Sequence, residues 1–208
     1  MNFNLPKNTL VDKFIPKNKF FSKTILNSKI KDDFTNQIKK ITWKYKLSPE
    51  TISVNKTSKV EEIQIFEIEL KNKTTPNNIL QVIDRLIPYP ILYIFTYEND
   101  FKYWINLKND LVKKYYFSEW NHELDFNFVD TNLEKVYENL IKKFITKVDT
   151  NENDFIKIVD TDNKINILNN EIKTIKNKIK SEKQFNKKVD LNKILQEKQN
   201  KLNSLINN

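Results

Sequence analysis

The stretch Ile63-Gln64-Ile65-Phe66-Glu67-Ile68-Glu69-Leu70-Lys71, entered through Val60-Glu61-Glu62, alternates with the period of a β-strand and ends in Glu-x-Lys. On a pleated strand successive side chains point to opposite faces. Phe66, Ile68 and Leu70 therefore share one face, and Ile65, Glu67, Glu69 and Lys71 share the other. The first face requires a core. The second starts apolar and finishes charged, so this end of the strand is either a solvated edge or the wall of a site. A chain built around such a strand is a sheet protein, and the segments on either side of it decide the class.

Those segments predict a mixed α/β (α+β) fold. Residues 1–31 read as an arm with Pro6 and Pro16 and scattered apolar anchors. Asp32-Asp33 predict a helix start, because acids favour the first turn, and Lys39-Lys40 suit its end. Strand signals follow at 41–47 and 51–54 around Ser48-Pro49. Thr75-Pro76 opens a helix with Ile79, Leu80, Val82, Ile83, Leu86 and Ile87 on its apolar side, and Pro88 stops it. Residues 91–97 and 101–107 predict a hairpin across Glu98-Asn99-Asp100, where asparagine would take the positive φ. An aromatic strand at 115–120 and a helix at about 132–148 complete a body spanning 1–150.

The last quarter has a different period. Ile165, Leu168, Ile172, Ile175 and Ile179 step by three and four, and so do Leu191, Ile194, Lys198, Leu202 and Leu205 after a polar break. Residues 163–208 are thus expected to form an antiparallel coiled-coil helical hairpin, joined to the body by a linker at 151–162. Each helix carries few heptads, which makes the hairpin marginal alone and suited to docking on a partner or a second copy as a homodimer.

Composition removes several function classes. Cysteine is absent, which excludes disulfides, thiolate nucleophiles and cysteine-based zinc sites, and fits a cytoplasmic setting. Glycine is absent too, so neither a P-loop nor a dinucleotide fingerprint can be written. No apolar run approaches membrane-spanning length. The net charge of +9 is uneven. Residues 1–46 hold eleven lysines against three acids, and residues 163–208 hold eleven against four, while the middle is net acidic. Two basic ends around an acidic middle are candidate contacts for an anionic partner, although the lysine and asparagine bias also fits an AT-rich coding background.

The segments Lys46-Leu47-Ser48-Pro49-Glu50-Thr51-Ile52, Glu61 to Lys71, Ile83-Asp84-Arg85-Leu86-Ile87-Pro88-Tyr89-Pro90-Ile91-Leu92 and Glu182-Lys183-Gln184-Phe185-Asn186-Lys187-Lys188-Val189-Asp190-Leu191-Asn192 resemble the bacterial family labelled domain of unknown function 4391. The resemblance covers nearly the whole chain. It implies a gene neighbourhood with a helicase-like protein and a DNA methyltransferase, in clusters that look like restriction-modification or phage-defence systems, and hence an accessory role with those proteins as partners. It carries no catalytic residues.

Sites are therefore argued from chemistry. Glu67, Glu69 and Lys71 could be the acid-x-Lys half of a restriction-endonuclease-like site, with Glu50, Glu61 or Glu62 as the acid of the other half, in which the acids hold Mg²⁺ and the lysine faces the attacked phosphate. The ordinary alternative is a charged strand edge. Lys39, Lys40, Lys187 and Lys188 are candidate nucleic-acid contacts. Arg85, the one arginine, offers a planar fork for a carboxylate or a phosphate and is expected to be partly buried. His122, the one histidine, reads as a turn residue. The reading favoured is a non-catalytic subunit that contacts protein, DNA or both in a restriction-modification-like assembly, with no cofactor. The alternatives are an Mg²⁺-dependent nuclease and a regulator that binds only protein.

Overall fold

The computed structural model describes residues 3–108, 113–150 and 154–206. They form two compact units, 1–144 and 145–208. In chain order the first unit contains a 3-10 turn at Lys7–Thr9, β1 (Leu10–Phe14), α1 (Asn18–Phe21), α2 (Ser28–Gln37), β2 (Ile38–Leu47), α3 (Pro49–Ile52), β3 (Ile63–Leu70), α4 (Asn77–Leu86), β4 (Ile91–Tyr97), β5 (Asp100–Lys108), β6 (Lys113–Phe117) and α5 (Leu133–Lys142). The second contains α6 (Phe155–Ser181) and α7 (Phe185–Ile206). The mixed sheet, its flanking helices and the paired C-terminal helices are those the periodicities predict. Among the described residues no helix is long and apolar enough to cross a membrane.

The six strands lie in sequence order. All neighbours are antiparallel except β3 and β4, which run parallel through the α4 crossover. The alternation in β3 sets the layers. Phe66, Ile68 and Leu70 bury one face against α1, α2 and α4, in a core with Phe34, Ile41, Ile79, Leu80, Tyr93, Phe95 and Trp104. Ile65, Leu92, Ile94 and Ile105 occupy the alternate positions and are buried as well. Rings of Phe3, Tyr103, Phe126 and Phe128 meet at centroid distances of 5.0 to 6.2 Å and add a second, smaller aromatic cluster.

Several local expectations are corrected. Residues 10–14 of the expected arm pair with β2 as an edge strand. α2 starts four residues before Asp32, because the Asn27 side chain accepts from the Ile30 N–H at 2.9 Å and supplies the cap. The strand expected at 51–54 gives way to the α3 turn. Pro49 occupies its first position, and Ser48 and Thr51 cap each other's backbone, which outweighs the β-propensity of Thr51 and Ile52. With no glycine, the left-handed positions fall to Asp12, Ser53, Glu98 and Asn121. In the β4–β5 turn it is Glu98, and not Asn99, that takes positive φ.

In the second unit, α6 begins at Phe155, so residues 155–162 of the expected linker are its first turns, with Asp154 accepting from the N–H groups of Ile156 and Lys157. α6 and α7 pack as a hairpin, tied by a Lys198–Glu171 ion pair at 2.7 Å. Half-buried positions on α7 are Lys188, Leu191, Leu195, Lys198, Leu202 and Leu205, a regular three–four step. Leu195 therefore takes the seam place expected of Ile194, which is 43% exposed. No residue of α7 is fully buried.

Candidate functional site

The charged end of β3 stands where its alternation puts it, between β2 and β4. Glu67 lies opposite Thr42 and Ile94, and Glu69 lies opposite Lys40 and Thr96. Glu62, Glu67 and Glu69 each have a lysine counterpart. Lys39 Nζ sits 2.5 Å from Glu69 Oε1. Lys46 Nζ sits 3.0 Å from Glu62 Oε2, whose other oxygen accepts from Gln64 at 2.5 Å. Lys44, bonded to Asp12 at 3.0 Å, also feels Glu67, and its ammonium is held above its usual pKa chiefly by that Asp12 bond. Lys71 is exposed and donates its backbone N–H to Gln37. Its charge also acts on Lys17, whose pKa is lowered first by burial and then by Lys71.

Convergence is what a metal site needs, and the strand opposes it. Glu62 precedes β3 while Glu69 is near its end, so at about 3.3 Å per residue the two are separated by roughly 20 Å. Among the described residues no three His, Asp or Glu side chains come together so as to hold a metal ion. Chemically, the β3 end is a charge-compensated sheet surface. Exposed pairs like Lys39–Glu69 are worth about 0–1 kcal/mol each, so they set local charge more than stability.

Arg85 departs from expectation. It is exposed in the last turn of α4, where a cation complements the helix dipole, and the half-buried group is its neighbour Asp84. Asp84 Oδ1 accepts from Tyr93 Oη at 2.7 Å, and Oδ2 accepts from Tyr115 Oη. Lys108 Nζ donates to the backbone carbonyls of Asp84, at 3.3 Å, and Ile87. Burial pushes the Asp84 carboxyl above its ordinary pKa, against the opposing pull of both hydroxyls and Lys108. Burial and the Asp84 charge push both tyrosines far up, and burial holds Lys108 down. The Lys108 N–H donates to Tyr137 Oη at 2.8 Å, and that hydroxyl donates to the Asn106 carbonyl. These bonds pin the C-terminal end of α4 and the α5 tyrosine to β4, β5 and β6. The sequence signal for the cluster is Asp84 itself, an acid beside Leu80 on the margin of the apolar side of α4.

The remaining candidates, Lys187 and Lys188, lie at the turn of the hairpin. Glu182 Oε1 accepts from the N–H groups of Lys183 and Gln184 at 2.8 and 2.9 Å, which fixes the turn into α7 and holds this carboxyl below its usual pKa. Residues 172–193 carry eight lysines and two acids. Lys173, Lys176, Lys178, Lys180, Lys183, Lys187 and Lys193 are exposed, and Lys188 is half-buried in the seam. Phe185, 77% exposed, stands among them. A shallow groove at the tip is lined by Lys178, Glu182, Lys183, Lys187 and Leu191. The result is a strongly positive end on a two-helix hairpin.

Residues 3–202 match one family model, described as a domain of unknown function (DUF4391). No curated protein and no solved structure matches the chain.

Proposed function

This chain belongs to the family described as a domain of unknown function (DUF4391), and on that premise we propose that it is a non-catalytic accessory subunit that contacts DNA through the tip of its helical hairpin. The observation that carries the reading is the tip. Eight lysines crowd into residues 172–193, and of the two acids there Glu182 is engaged by the backbone of its own turn. A positive end of this kind is drawn to the phosphate backbone, and the affinity comes from released counterions, without base reading. The charge-compensated end of β3 supports contact over cleavage, because its carboxylates face lysines instead of one another. In this reading the chain serves a cytoplasmic restriction-modification-like assembly. Helicase and methyltransferase partners supply the chemistry there, and the hairpin supplies a grip on the duplex.

The test is fluorescence anisotropy of a short labelled duplex against the full chain across a salt series. Binding is expected to be independent of sequence and to fall with salt at a log–log slope near −0.9 per phosphate neutralised. The double variant Lys187→Glu, Lys188→Glu is expected to weaken binding by about tenfold or more at low salt and to flatten the slope by about two. Absence of binding at low salt, or a double variant that binds like the parent, contradicts the reading.

A further inference from the structure

β5 and β6 place Trp104 directly opposite Phe117, with the rings stacked at 5.0 Å and 22°. Lys102 lies two residues before Trp104 and shares its face of the sheet. Its ammonium sits 4.8 Å from the Phe117 ring centroid, 5.8 Å from that of Trp104 and 6.0 Å from that of Trp120. A second cation, Lys73, stands 5.1 Å over the Trp120 ring and pairs with Asp100. Phe117 is 52% exposed, on a strand that forms the edge of the sheet.

Lys102 is the cation at the centre of this cluster. As a whole residue it is 8% exposed, with its stem covered by the rings, while its ammonium still reaches solvent and takes no hydrogen bond or ion pair among the described residues. A lysine laid along aromatic rings with its head at the surface keeps that charge available to an anion. Burial lowers its pKa, and only the charge of Glu119 opposes this. The indole N–H of Trp104, enclosed in the same cluster, also has no acceptor. Cation–π attraction compensates part of the desolvation of the ammonium but supplies no counter-charge. A ligand that brings a flat ring and an anion together completes both halves. The ring stacks on exposed Phe117, and the anion reaches Lys102 and Lys73.

We propose that the Lys102, Trp104, Phe117, Trp120 and Lys73 surface at the β5–β6 edge binds single-stranded nucleic acid, with a base on Phe117 and its phosphate between the two lysines. Duplex DNA keeps its bases stacked internally and offers no free ring face, whereas every unpaired base does. The site lies in the first unit and is independent of the hairpin tip.

The experiment uses the full chain carrying Lys187→Glu and Lys188→Glu, so that the tip does not contribute, and a labelled oligothymidylate single strand as probe. Phe117→Ala should weaken binding by about tenfold, Phe117→Tyr should retain it, and Lys73→Gln should lower its salt dependence. An abasic strand of the same length should bind the parent only as weakly as oligothymidylate binds Phe117→Ala. Equal affinity of Phe117→Ala and parent, or equal affinity for abasic and thymidylate strands, overturns the proposal. Because Phe117 and Lys73 are both largely solvent-facing, these variants test binding without disturbing the core, and circular dichroism checks that they fold. Failure here leaves the duplex result of the hairpin tip standing, and failure of the tip leaves this one standing.

Discussion

Phe66→Ala is expected to lower stability by about 3–5 kcal/mol, a large part of what a domain of this size possesses. Phe66 lies at the middle of β3, opposite Trp43 on β2 and Tyr93 on β4, and its ring meets Tyr93 edge-on at 6.3 Å. It is fully buried where the sheet packs beneath the helices. Truncation therefore opens a cavity at the point where three strands and the helical layer meet, and a β-strand backbone tied on both sides cannot collapse into it. Urea denaturation should show the midpoint falling with the slope unchanged. Phe66→Leu should lose much less. A loss under about 1 kcal/mol for Phe66→Ala would mean that the core is not centred on this strand.

The Asp84 cluster gives the second large effect. Tyr93→Phe removes the donor to Asp84 Oδ1 and is expected to cost about 1–3 kcal/mol, because an oxygen of a half-buried carboxylate loses its partner. Its pH dependence has a definite sign. The carboxyl of Asp84 titrates higher in the folded chain than in the unfolded one, so the folded state holds the proton more tightly. The contribution is complete below the unfolded value near pH 4 and is lost as pH rises through the native value. Asp84→Asn removes that titration. Its stability relative to the parent should therefore improve as pH rises from about 4 through the raised native value. Tyr93→Phe deletes a bond that favours the ionised form and should carry the decline to higher pH. Parallel stability curves for parent and Asp84→Asn across this range would contradict the assignment.

What the chain shows in one dimension depends on how local the cause is. The run from β3 through α4 to β5 is legible because each element buries a whole face and repeats its period. The arm, α3 and the first turns of α6 are hidden because they depend on short devices. These are an Asn27 cap, a Ser48–Thr51 reciprocal cap and an Asp154 cap, each of which outweighs a weak propensity. The charged end of β3 is legible as a face. The pairing of Glu69 with Lys39, thirty residues away, depends on the β2–β3 register and its irregularity near Ile38–Lys40. The Asp84 cluster draws its members from α4, β4, β5 and β6. No periodicity in any one of these elements announces such a meeting, and the aromatic residues involved look like ordinary sheet packing until the register is known. The single arginine misdirects in the same way. Rarity marks Arg85, but the helix turns it to solvent and turns Asp84 inward.

Contact without cleavage is tested most directly by one assay. The purified full chain is incubated with an end-labelled duplex and Mg²⁺ at low salt, then resolved on native and denaturing gels. The expected result is a shifted band on the native gel that is strongly weakened in the Lys187→Glu, Lys188→Glu variant, with a label of unchanged length on the denaturing gel. Mg²⁺-dependent cleavage that is abolished by both Glu69→Ala and Lys71→Ala would contradict it and would make the β3 end a nuclease site.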